Sequence, residues 1–524
     1  MLSSGGVRAA QPRTGGEAGE DRVRFEQLKQ AFKAAGVSKR LVGQVCQLVA
    51  TILHLGNVEF TMDYDRNPDA ASVRNWDVLE TVAEFLGVGP AELEEVLNSK
   101  VEMVRKDMVN VFLDPEGAAA NRDDLAKSLY SLLFAWVNEH VNERLCRDDF
   151  ANFIGILDLP GSQNLSGFGA RSNSLDQLCV NFANERLQGW ILQHAFDLQT
   201  AEFAAEGLSA VVPTVDYPDN AETLRILTTT PGGLIHIMDD QTQRMPKKTD
   251  HTMAEALAKR WGHHPSFKAG AVDRTGYPTF TVNHYTGPVT YSSENFLEKN
   301  ADAVNPDFVA LLRGPAQGAS AAGAAFPGST NTFIRDLFNT RAIATQVHPR
   351  DQETVVAAQQ SVKPMRQPST KRKGGRGGGL KMSTAADDDA DEDADGQPAR
   401  AGNQIRCVVG TFKSALDTLF EAFDETKAWT VFALTPNDVQ LPNQLESRGL
   451  KAQIRSMALP EMTRRAAVTF EVSMSHTEFV ERYAEDVEGF EGASPADVVR
   501  EYKAARGWPD KELAVGQFKV RCVG

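Results

Sequence analysis

The stretch FIGILDLPGSQ, residues 153–163, constrains this chain more than any other. An unbroken apolar run of β-favouring residues ends in Asp158 and turns on Gly161, between long segments of helical period. The run reads as a buried strand, and a buried strand among helices means an α/β fold, rich in helix. An acid at a strand end followed by a glycine amide is also how a loop that senses a metal-bound phosphate is built. Taken alone, the same residues more often describe a buried strand whose aspartate caps a turn. The dipeptide Gly-Lys occurs nowhere in the 524 residues, so the phosphate-cradling pattern G-x-x-x-x-G-K-S/T is absent from this sequence.

Around that strand the chain is mostly helical in pattern. Leu41, Val45, Leu48, Val49 and Ile52 make an apolar stripe closed by Gly56, and helical segments are expected through 76–112. A longer helix is expected after Asp123, and another from Ser174, with Leu175, Leu178, Phe182, Leu187 and Ile191 turned inward. Residues 278–291 alternate about a turn at Thr286-Gly287-Pro288 and read as a hairpin; WTVFALTPND, 429–438, reads as a second strand. His284 alternates with Val282 and reads as a structural histidine, while His263 and His264 read as loop residues.

Composition narrows function. A net charge of -15 and a pI near 5.3 argue against a nucleic-acid binder. Cys46, Cys146, Cys179, Cys407 and Cys522 form no C-x-x-C and fit reduced thiols better than a disulfide framework or a zinc site. No apolar run reaches the roughly 20 residues of a membrane span. Residues 371–381 carry five positive charges and 387–395 seven negative ones, so 366–402 is expected to be a flexible charged segment.

The order of blocks adds what no single block carries. VCQLVATILHLGNVEF, FIGILDLPGSQ, SLDQLCVNFANERLQ, GGLIHIMDDQTQRMPKKTDHTMAEAL, FTVNHYTGPVTYSSENFLEKNADAVNPDFVALL, TFKSALDTLF and TVFALTPND follow one another as in the motor head of myosins. The series resembles that family from about Arg22 to Tyr483. Pro160 and Gln163, the stretch FIRDLFNTRAIATQVHPRDQETVVAAQQSVKPMRQPS and the closing GWPDKELAVGQFKVRC resemble the myosin motor-like domain of fungal (class V/VII) chitin synthases.

The resemblance implies a partial myosin-head (P-loop NTPase) fold with an incomplete central sheet. Residues 1–20 are then a disordered N-terminus, 21–365 a motor-like region, 366–402 the charged loop, 403–485 the C-terminal part of the head and 486–524 an extension. DLPGSQ corresponds to the second switch loop, where Asp158 would face Mg2+ through water, the Gly161 amide would meet the γ-phosphate of ATP, and Gln163 stands at the catalytic position. The helix from Ser174 corresponds to the relay, and residues 280–291 to the transducing hairpin. Lys371, Arg372, Lys373, Arg376 and Lys381 fall where myosins carry an actin contact.

Activity implied by the family is an actin-stimulated ATPase motor joined to a membrane-embedded glycosyltransferase. Actin filaments and, in the same polypeptide, a chitin synthase catalytic domain would be its partners, at the cytoplasmic face, on secretory vesicles and at sites of wall growth. Two departures stand out. Ser162 and Gln163 replace the family's Phe-Glu, and glutamine cannot form the ion pair that glutamate makes with an arginine of the first switch. That removes a charge-assisted interaction of roughly 1.5–3 kcal/mol, about one to two orders of magnitude in rate. The phosphate loop and first switch, expected before residue 22, are not in the sequence, so this chain alone is expected not to bind or hydrolyse ATP. A non-catalytic tether between the synthase and actin or vesicles is the alternative. The strand 153–158 is expected at a sheet edge.

Overall fold

The computed structural model describes residues 17–523 except 63–69, 105–106, 146–151, 153, 168–171, 212–213, 246, 302–304, 315–325, 339–343, 346–355, 358–406, 438–440, 467–469, 471, 491 and 493. Two units divide the chain: Met1–Ile156 with Ala301–Cys407, and Leu157–Asn300 with Val408–Gly524.

In the first unit, α1 (Glu17–Ala34) leads into α2 (Lys39–Leu55), started by Ser38, whose hydroxyl accepts from the Leu41 amide at 3.3 Å. The buried stripe of α2 is Val42, Val45, Leu48, Thr51 and Leu55, and Gly56 caps its end. The expected stripe is rotated: Leu41 and Ile52 are only partly buried and Val49 is exposed. A short ladder pairs β1 (Phe60–Met62) with β2 (Ala71–Val73) before α3 (Trp76–Leu86) and α4 (Pro90–Asn98). The helical reading of 76–112 fails after Asn98. Residues there form an antiparallel ladder, β3 (Ser99–Val104) and β4 (Asp107–Phe112), because two valine- and methionine-rich runs stand two positions apart in the sequence.

Next, α5 (Pro115–Leu145) starts eight residues before Asp123, with Pro115 at its head. Asn121 on α5 donates to the carbonyls of Val96 at 2.9 Å and Leu97 at 3.1 Å, satisfying groups that the end of α4 leaves open. When the chain returns, α12 (Pro306–Arg313) and α13 (Thr332–Leu337) complete a core around Leu79, Leu86, Leu97, Leu129, Phe308 and Leu312. Two two-residue strands, β8 (Ala344–Thr345) and β9 (Val356–Ala357), pair beyond it.

The second unit is organised on one rod. Helix α6 (Leu175–Leu192) continues through a π-helical turn, Gln193–Leu198, into α7 (Gln199–Ala205). Leu175, Leu178, Phe182 and Ile191 are buried on it and Leu187 is partly buried, as the period implied. Against it packs α8 (Ala221–Thr228), and α9 (Leu234–Gln243) and α10 (Asp250–Trp261) follow from α8 in the same core. Gly189 lets α8 approach closely: a Cβ there would sit 2.6 Å from Leu224 Cδ1 and 3.1 Å from Asn220 Oδ1. The expected hairpin is present as β6 (Pro278–His284) and β7 (Gly287–Ser292), extended by β5 (Phe267–Val272) into a three-stranded antiparallel sheet. After α11 (Phe296–Asn300), buried Asn300 accepts the Val409 amide at 2.9 Å and so places α14 (Val408–Asp424).

Beyond α15 (Ser447–Ser456) and α16 (Leu459–Ala466) lies a small αβ module: β10 (Val472–Ser475), α17 (His476–Arg482), α18 (Ala484–Val487), α19 (Pro495–Arg506), β11 (Leu513–Val515) and β12 (Lys519–Cys522). Its first strand pairs with its last, and Phe479, Val487, Val499, Tyr502 and Leu513 share one core. The boundary drawn at 485/486 therefore runs through a single folded module. At the other end of the chain, helix already covers Glu17 to Glu20, within the segment expected to be disordered, and residues 1–16 lie outside the described residues.

Neither expected isolated strand forms. Residues 154–158 carry no strand, and Ile154 and Ile156 are 95 % and 91 % exposed; 429–437 carry none either, with Trp429 83 % and Val431 92 % exposed. An apolar run becomes a strand only beside another backbone, and among the described strands none lies alongside these two. The sheet-edge position expected for 153–158 is not observed.

Candidate functional site

Residues Leu159–Gln163 carry no regular secondary structure, yet the side chains of α6 hold them at fixed points. Asn184 donates to the Pro160 carbonyl at 2.8 Å. Asn181 accepts the Gln163 amide at 2.7 Å and donates to the Gln163 carbonyl at 2.9 Å. Gln177, whose carbonyl oxygen also accepts from the amide and hydroxyl of Ser174, donates to the side-chain oxygen of Gln163 at 3.3 Å. The Ser162 hydroxyl reaches Tyr285 Oη at 3.4 Å. Buried Asn173 takes over beyond the loop, accepting the Leu165 amide at 2.7 Å and donating to the Thr290 carbonyl at 2.8 Å.

Below this clamp the polar groups continue inward. Asn181 donates to Tyr291 Oη at 2.7 Å, and Tyr291 lies 2.8 Å from His284 Nε2. Since the phenol oxygen already accepts from Asn181, its proton goes to Nε2, and Nδ1–H then donates to Glu185 Oε2 at 2.9 Å. Glu185 also accepts from the Tyr285 amide at 3.2 Å and from Asn220 at 2.7 Å. Burial, reinforced by the charge on Glu185, pushes the Tyr291 hydroxyl above the ordinary tyrosine range despite the hydrogen bond from Asn181, so it stays a donor. Burial, with Asp176 and Asp239 adding, pushes the Cys179 thiol up to about 12, which makes it inert.

At its far end the rod grips the C-terminal module. Glu206 Oε2 accepts the amides of Phe518 at 2.8 Å and Lys519 at 3.1 Å, in the turn between β11 and β12. Arg521 pairs with Glu202 and places its guanidinium 4.5 Å from the Phe203 ring centre.

Asp158 is exposed and has no hydrogen bond or ion pair among the described residues. Gly161 is open, with nothing within 4 Å of where a Cβ would stand. Gln163 is not free: both its main chain and its side chain are engaged by α6. The five basic residues Lys371, Arg372, Lys373, Arg376 and Lys381 lie outside the described residues. Among the described residues no group of three or more His, Cys, Asp or Glu side chains stands ready for a metal ion. His284 is the satisfied structural histidine expected, and His264, beside Glu222 at 2.9 Å, closes the end of α10.

Sequence reading missed Gln177, Asn181, Asn184, Glu185 and Glu206. A signal was present: Asn181, Asn184, Glu185 and Gln188 share one helical face with Leu178 and are all buried. Polar residues at that spacing on an apolar stripe announce partners brought by the fold.

Residues 14–489 match the family model described as myosin head (motor domain). The chain is 52% identical over 519 residues to chitin synthase 8 of Mycosarcoma maydis, covering 96% of this chain and 26% of that protein. It is 41% identical over 511 residues to chitin synthase 5 of Cryptococcus neoformans var. grubii, with the same two shares, 96% and 26%. With chitin synthase V of Metarhizium acridum it shares 32% over 536 residues, 95% of this chain and 28% of the relative. The chain thus spans about a quarter of the length of the curated relatives it matches. It belongs to the myosin head family, as a myosin motor-like domain of the kind found in fungal chitin synthases.

Proposed function

We propose that in the intact protein this chain is the transmitting part of an actin-associated, ATP-dependent motor-like head joined to a chitin-synthesising domain. The carrying observation is one continuous rod, Leu175–Ala205, clamped to the Leu159–Gln163 loop at one end and to the β11–β12 turn at the other. At 1.5 Å per residue it spans about 46 Å, so a shift of the loop is delivered to a distant module without an intervening joint other than the π-helical turn.

The residues fit one side of Mg-ATP. An unpaired carboxylate at Asp158 suits a magnesium-bound water, and the open Gly161 amide suits a terminal phosphate oxygen. Bound magnesium would neutralise charge on the transferred phosphate. A P-loop NTPase site built on them would take its remaining phosphate donors, and strands to pair with 154–158 and 429–434, from other parts of the intact protein. The head would work at the cytoplasmic face, where vesicles and the plasma membrane meet actin.

A second reading, a non-catalytic tether, is favoured by Gln163: a residue held by Gln177 and Asn181 is already satisfied without a first-switch arginine. Two measurements separate the readings. Calorimetry with Mg-ATP should show no binding to this chain and clear binding to the full-length synthase, lost in Asp158→Ala. Actin-stimulated phosphate release by the full-length protein is expected for the motor; its absence with intact actin binding leaves the tether.

A further inference from the structure

On the second unit, away from the loop, a cleft of about 520 Å³ opens between α6, α14 and the segment leading into α8. Its lining includes the aromatics Trp190, Tyr217 and Phe420 and the acids Asp197, Asp219, Asp417, Glu421 and Asp424, with Arg186 as the one lysine or arginine among the lining residues; Lys413, outside the lining, pairs with Asp417 at 2.8 Å. The volume lies in the range of ligand sites.

Arg186 shows what the cleft accommodates. Its guanidinium is 2.7 Å from Asp417 and 5.3 Å from the Phe420 ring centre, a cation between a carboxylate and an aromatic face. Asp424 is engaged by Trp190 Nε1 at 2.8 Å and by His194 at 3.3 Å. Among the described residues the other three acids have no cation partner. Asp197 accepts only the Tyr217 hydroxyl at 2.7 Å, Asp219 only the Ala221 amide at 3.1 Å, and Glu421 has no partner among the described residues. Burial, then the hydrogen bond and charge of Asp197 and the charge of Asp219, hold the Tyr217 hydroxyl above its ordinary range.

We propose that this cleft binds a basic peptide, seating one Arg or Lys side chain among the aromatic walls and a neighbouring one on the rim. The three unneutralised acids stand on three separate segments: the π-helical turn, the lead into α8, and α14. Adjacent basic side chains carried on one backbone match acids that are spread over three segments of the chain. Anionic partners are excluded by the same charge.

The test is calorimetry of the full chain with acetyl-Arg-Lys-Arg-amide at low and at raised salt. Saturable one-to-one binding that weakens with salt is expected. Glu421→Gln, at an exposed residue without a partner, should weaken it about fivefold, the upper end for an exposed ion pair. Glu255→Gln on α10, outside the cleft, should leave it unchanged. Absence of saturable binding at millimolar peptide, an equal loss in Glu255→Gln, or tighter binding of spermidine than of the peptide would each overturn the proposal.

Discussion

Asn181 holds the main chain of Gln163 on both sides, its amide oxygen taking the N–H at 2.7 Å and its amide nitrogen giving to the carbonyl at 2.9 Å. The same nitrogen donates to Tyr291. One buried side chain therefore joins the loop, the rod and the three-stranded sheet. Asn181→Ala would leave a buried tyrosine oxygen and two main-chain groups without this partner. A loss of about 2–4 kcal/mol is expected, read as a fall in the urea midpoint of the transition that reports the second unit.

Gln163→Glu should be structurally quiet. The new carboxylate accepts the same Gln177 N–H, so stability should change by less than about 0.5 kcal/mol. On the motor reading, the change would supply in the intact protein the carboxylate that the family resemblance implies for an ion pair, and ATP hydrolysis should then rise about ten- to a hundredfold. Steady-state phosphate release decides it; an unchanged rate would remove Gln163 as the limiting departure.

Glu206→Ala should loosen the module from the rod. Its carboxylate accepts two turn amides, so the Phe518 and Lys519 N–H groups should exchange with solvent at least tenfold faster, an effect of about 1.4 kcal/mol or more. Amide exchange on the core strand residue Val520 is the internal reference.

Asp273 marks an acid-sensitive point. Burial pushes its carboxyl up, but the hydroxyls of Ser292 and Thr275 and the amides of Tyr277 and Thr275 outweigh that and hold it down at about 2. The folded value is below the unfolded one, about 3.9, so its stabilising contribution is complete above that pH and is lost as pH falls toward 2. An NMR titration of the Asp273 carboxyl should find this midpoint, and Asp273→Asn should flatten the acid limb of the stability curve over that window.

Between Lys371 and Arg400 the sequence carries six basic residues and seven acidic ones. An acidic filament is attracted by the first part and repelled by the second. Deleting residues 387–395 should strengthen co-sedimentation with actin at low salt; unchanged binding would place the contact elsewhere.

Local pattern was enough for the rod, the hairpin and the family. The 3.6-residue period of Leu175, Leu178, Phe182 and Ile191 and the alternation through Phe280, Val282 and Tyr291 are properties of short windows, and each folded as its period implied. Other features depend on what lies beside them. Residues 154–158 and 429–437 have strand composition but no ladder, because β structure is completed by a second backbone that periodicity within one segment cannot supply. The 99–112 segment, read as helix, found its partner within itself and became an antiparallel ladder. The clamp is the clearest case: Asn181, Asn184 and Glu185 are plain polar residues in a helix until Gln163, Pro160, Tyr291 and His284, up to 110 positions away, are brought against them. Burial then turns each of those polar groups into an obligatory partner, since leaving one unpaired away from water costs about 1–3 kcal/mol. Sequence determined which segments could be helix and where Asp158 and Gly161 stand in the chain. Only tertiary contact decided that the loop carrying them is held by the rod.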